Sequence, residues 1–162
     1  MLVQNLLSQL SALVLGVIAA AIVALLAEEE VEEYTPLFQT AAKIVYVITL
    51  VAPVLFLEKI VTVLFIAISY GVIAFPQKNE RQTFYLLAPL SLVLATQNTD
   101  AFLVTLSCFF VATLLSTILF LTTWVKKKKL TWKREIINKV IKQYSMFVLI
   151  SCMVYVIIWV FG

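Results

Sequence analysis

The chain has 162 residues, of which 63% are apolar and 13% charged, and its mean hydropathy is +1.06. Soluble domains run at about 45–50% apolar and about 25% charged, so a single water-soluble core of this size cannot hide so many large apolar side chains, whereas lipid can. The net charge is only +3 and there is no histidine, which excludes Ser-His-Asp and Cys-His catalytic arrangements and any imidazole metal ligand.

In chain order, the first apolar run covers residues 6–27. Crossing about 30 Å of hydrocarbon takes roughly 20 helical residues, with 17–25 the usual range. The run lacks the basic flank of a secretory signal, and its apolar core exceeds the usual ~7–15 residues, so it reads as a retained span. Ser8, Ala12, Gly16, Ala20 and Ala24 recur at every fourth position and so share one ridge of a helix. Small side chains let a second backbone approach closely, which is what holds helices together in lipid. The ridge is therefore a helix-packing face, either for this chain's own helices or for a partner subunit or second copy.

Five of the nine acids fall within residues 28–33. Like charges one turn apart on a helix repel. A nearby cation, either a divalent ion or the basic stretch described below, would relieve them. The next run, residues 36–57, has Thr35 as its expected N-cap and Pro36 at the first helical position. Residues 44–75 are apolar except for Glu58 and Lys59. As one helix these 32 residues would extend about 48 Å, and each charge held at mid-depth would cost about 2.5–3.5 kcal/mol. Splitting the run at Glu58-Lys59 removes both difficulties and gives two crossings joined at the surface. The sequence thus predicts spans over residues 36–57 and 60–76. Pro53 kinking one long helix is the alternative.

A fourth span is predicted over residues 83–97 and a fifth over 101–125, capped by Asp100, the sole aspartate. The fifth carries Thr105, Ser107, Thr113, Ser116, Thr117, Thr122 and Thr123. Such hydroxyls either line a solute path or bond back to their own helix and hold helices together. Eight of the twelve basic residues follow, within residues 126–142. Lys126, Lys127, Lys128, Lys129, Lys133, Arg134, Lys139 and Lys142, with Trp132 at headgroup level, read as a lipid-surface contact, and residues 130–142 as an amphipathic interfacial helix. A sixth span is predicted over residues 143–161.

With six spans, eleven of the twelve basic residues fall on one side, the cytoplasmic one by the positive-inside rule. Both termini then lie outside. The expected fold class is all-α: a polytopic integral membrane helical bundle of six spans (alternatively five, with one long helix through Glu58-Lys59) plus the interfacial helix, with residues 1–162 forming a single membrane domain.

The sequence shows no Gly-rich phosphate loop and no CxxC. A lone aspartate precludes an intramembrane aspartate pair. Cys108 and Cys152 both fall inside apolar runs, which argues against a disulfide framework. The expected role is a non-enzymatic structural or accessory subunit of a larger membrane complex in the cell membrane. Its partners would be anionic headgroups and possible further subunits or copies, without cofactor, metal or nucleic acid. The alternative is a small-solute or ion transport protein, or the solute-binding subunit of a transporter. Six short spans with small residues along the first resemble, in architecture and without a matched motif, the substrate-binding subunits of energy-coupling-factor vitamin transporters. A membrane enzyme would need Glu58, Lys59 or Cys108 to converge on one cleft.

Overall fold

The computed structural model describes residues 2–26, 33–56, 80–127 and 134–161. Glu58 and Lys59, the expected span 60–76, acids 28–32, and Lys128, Lys129, Trp132 and Lys133 lie outside the described residues. The described chain is all-helical: α1 (Leu2–Leu26), α2 (Thr35–Val51) running into a 3-10 segment (Ala52–Phe56), α3 (Glu80–Ala95), α4 (Thr99–Lys127) and α5 (Arg134–Phe161). Two helices are long and apolar enough to cross a membrane, over Val3–Ala24 and Thr99–Thr122. Shorter apolar stretches cover Thr35–Val51, Thr83–Ala95 and Phe147–Val160.

Helix α4 is the hub. It packs against α1, α2, the 3-10 segment and α3, and half of its membrane-length stretch is buried, against 28% for α1. Paired residues fix the helix directions. Gly16 faces Thr113 and Ala20 sits with Ile118, so α1 and α4 run the same way. Tyr46 stacks on Phe84 and Thr49 is bonded by Ser91, so α2 and α3 are parallel to each other. Tyr144 meets Thr117 and Phe147 meets Phe109, so α5 runs against α4. The consecutive described helices α2 and α3 therefore point in the same direction. The chain leaves Phe56 at one end of the bundle and re-enters at Glu80 at the other.

Several helix ends differ from the sequence expectations, each for a local reason. Asn98, not Asp100, caps α4: its Oδ1 accepts from the backbone N–H groups of Asp100 at 2.9 Å and Ala101 at 3.2 Å. The helix consequently starts at Thr99. Thr35 does not cap α2. The N-cap position is Tyr34, which makes no side-chain cap, while the proline keeps its place in the first turn. The expected 36–57 helix tightens to 3-10 geometry at Ala52 because Pro53 has no N–H to offer Thr49 one turn back. The freed Thr49 carbonyl accepts instead from Ser91 Oγ at 2.7 Å, so α3 supplies the missing donor. Finally, α5 is a single helix from Arg134 to Phe161. A surface helix ending near residue 142 and a separate span from 143 are not distinguished in it. The stretch around Lys142-Gln143-Tyr144 has no Gly or Pro to end a helix.

Candidate functional site

The interior between α2, α3, α4 and α5 is a box of aromatic rings. Tyr46 stacks on Phe84 at 4.2 Å between centroids, and Phe109 on Phe147 at 4.8 Å. Tyr85 meets Tyr144 edge-on at 4.9 Å and Phe84 at 5.1 Å. Offset and edge-to-face pairs of this kind add about 0.5–1.5 kcal/mol each beyond area burial. Phe84, Tyr85, Phe109 and Phe147 are all but fully buried. The rings hold the α4 and α5 backbones apart, so these two helices meet chiefly through side chains.

Hydroxyls collect on one side of the box. Thr117 Oγ1 donates to the Thr113 carbonyl at 2.8 Å and is also bonded to the Tyr144 hydroxyl. Thr117 has one proton, and the carbonyl takes it, so Tyr144 is the donor to Thr117. The Tyr85 hydroxyl lies within interaction range of Ser116 and Tyr144. Yet Tyr85 Oη and Ser116 Oγ, both buried, complete no hydrogen bond of normal geometry among the described residues. A second polar contact ties α1 to α5: Gln9 Nε2 donates to Tyr155 Oη at 2.6 Å, with Gln9 completely buried.

The hydroxyls expected to form a stripe on α4 divide into two groups. Thr105, Ser107, Thr117 and Thr122 bond back to carbonyls three or four residues earlier in their own helix. Thr113 and Ser116, both buried, make no such bond. In the ridge on α1, Ala12, Gly16 and Ala20 are buried, and Ser8 and Ala24 are partly so. The ridge meets α4. A Cβ built on Gly16 would lie 3.1 Å from Thr113 Cβ and 3.2 Å from the Phe110 carbonyl oxygen. Nearer the N-terminus the two helices leave an open groove of about 580 Å³, lined by Leu7, Ser11, Leu15, Leu106 and Phe110 among others.

Of the basic residues, Arg134 and Lys139 stand on the first turns of α5, and Lys126 and Lys127 on the last turn of α4. The last turn of α4 and the first turns of α5 and of α3, where Arg81 stands, lie at the same end of the bundle. Lys142 is exposed. Lys43 instead stands midway along α2 and is exposed. Cys108 is half-buried and Cys152 exposed, and both are free thiols. Among the described residues no group of His, Cys, Asp or Glu is placed to hold a metal ion.

Sequence reasoning missed Gln9, Ser91, Tyr85 and Tyr144 as structural polar groups. Gln9 alone carried a signal, as one of the few amides inside an apolar run. No family model, curated protein or solved structure matches the chain.

Proposed function

We propose that this chain is a non-enzymatic multi-span membrane protein, a structural or accessory subunit of a larger membrane assembly, whose basic end rests on anionic headgroups at the cytoplasmic face. The observation that carries the reading is the distribution of surface and core. The centre is filled by rings packed on one another. The exterior carries large apolar side chains such as Val3, Leu55, Met153 and Trp159, each at least 65% exposed. An apolar exterior of that extent needs lipid or protein cover.

Six crossings are supported by the parallel course of α2 and α3. A chain that ends one helix at one end of the bundle and starts the next at the other has to return between them. The 23 residues from 57 to 79 suffice, since a helix of that length covers about 34 Å. On this reading Glu58 and Lys59 mark the turn, both termini are outside, and Lys126, Lys127, Arg134 and Arg81 are cytoplasmic. Basic residues near a membrane surface contribute about 1 kcal/mol each toward anionic lipid.

Two experiments test the reading. Cysteines placed at positions 58 and 79 should be labelled from opposite sides of sealed vesicles, and labelling from the same side removes the six-span topology. Purification in mild detergent should retain a partner chain or a second copy. A stable lone monomer counts against the subunit role.

A further inference from the structure

Helix α1 has two distinct faces. The ridge through Gly16 and Ala20 is packed on α4. On another face Gln4, Leu7, Ser11, Val14 and Ile18 are all exposed, and the intervals between them run three, four, three, four. That alternation averages 3.5 residues, the repeat that keeps one seam of a helix turned toward a partner helix in a left-handed pair. The stripe carries two polar residues one heptad apart, Gln4 and Ser11. Its neighbours Ser8 and Ser107 bond back to the Gln4 and Leu103 carbonyls of their own helices. Ser11 makes no such bond among the described residues, although it stands well inside the Val3–Ala24 membrane-length stretch. The open groove beside α4 follows one flank of the same stripe, from Leu7 past Ser11 to Leu15.

We propose that this stripe of α1 docks a second copy of the chain, the two α1 helices packing in parallel about a two-fold axis normal to the membrane. Copies inserted the same way face one another at equal depth, so residues on a stripe that faces the axis meet their own counterparts. The two Ser11 side chains then stand opposite one another, as do the two Gln4 side chains. A hydroxyl and a carboxamide each carry both donor and acceptor, so each bonds to its like, and such bonds hold helices together in lipid. A lipid acyl chain offers Ser11 neither donor nor acceptor. Leu7, Val14 and Ile18 fill the layers between, and polar pairs at single seam positions fix the register. The groove along the flank is covered by the same docking. The inference rests on the membrane reading above, but not on the number of crossings.

Single cysteines in the full-length protein test this, in native membranes and with Cys108 and Cys152 replaced by alanine. Oxidation with copper phenanthroline should link Leu7→Cys, Ser11→Cys and Val14→Cys into dimers several-fold faster than Leu149→Cys or Val156→Cys, whose positions on α5 are exposed to the same degree as Leu7. Equal rates on the two helices mean random collision and overturn the proposal. Linkage of the stripe to a chain of different mass overturns it in favour of another subunit, and no linkage overturns it in favour of lipid. In bicelles, Gln4→Leu combined with Ser11→Ala should lower the dimer fraction several-fold and leave the helical circular dichroism unchanged. An unchanged dimer fraction overturns the pairing of the polar residues. Alkaline carbonate extraction separates the two readings. A chain that stays in the membrane pellet yet forms no dimer removes the docking alone, whereas a released chain removes the membrane reading beneath it.

Discussion

Toward α1, helix α4 presents Phe110 and Thr113 to a glycine; toward α3 and α5 it presents Phe109, Ser116 and Thr117 to rings and hydroxyls. At the first seam the backbones come so close that a single methyl group would press on a carbonyl oxygen. Against α5 the α4 backbone stands apart and side chains fill the space. One seam depends on what is missing from a side chain, the other on what is added. Specificity differs accordingly. Close approach between small residues depends on fit, and any larger group disturbs it. An aromatic box tolerates a change of outline but not a loss of volume.

The largest expected effect is at the second seam. Phe109→Ala removes a ring that touches Phe84, Tyr85 and Phe147, and should lower stability by about 3–5 kcal/mol in reversible unfolding from mixed micelles. A loss below about 1 kcal/mol would mean the box collapses readily and is no packing core. Next is Gly16→Leu, which should lower stability by about 1–3 kcal/mol through overpacking. An unchanged midpoint would show that α1 can move away from α4, and the contrast between the seams would disappear.

A smaller effect is expected at the 3-10 segment. Ser91→Ala strips the donor from the Thr49 carbonyl and should cost about 1–2 kcal/mol, whereas Ser91→Thr, which keeps the hydroxyl, should recover part of it. If both variants behave alike, the hydroxyl is irrelevant and only volume matters. The smallest pair concerns the cap of α4. Asn98→Ala should cost about 1 kcal/mol. Asp100→Ala should cost about 0.3 kcal/mol, since that carboxylate acts only through the helix dipole. Reversed magnitudes in the same unfolding assay would return the cap to Asp100.

The helices themselves were legible from apolar runs, because a stretch that must be covered on all sides is apolar on all sides. The ridge on α1 was legible too, since spacing by four is a local property. Which helix it meets was not, because Thr113 and Phe110 lie about a hundred residues away and nothing local marks them as its neighbours. Asn98 and Asp100 are both good capping residues two positions apart, and only the backbone path chooses between them. Pro53 was visible as a break. That Ser91 would answer it was not, since that depends on α2 and α3 running side by side. Over residues 101–125 the sequence offered seven hydroxyls of one chemical kind, and only the packing separates those that bond back to their own helix from Thr113 and Ser116, which do not. The Glu58-Lys59 doublet, on which the span count turns in the sequence, lies outside the described residues. The parallel course of α2 and α3 bears on the same question from a different direction.

The Ser91–Thr49 bond also restricts how the bundle can move. Sliding α3 along α2 by even one residue would take Ser91 Oγ away from the Thr49 carbonyl, and both residues are fully buried. Those two helices are therefore latched near the proline, and a movement that keeps this bond carries them together.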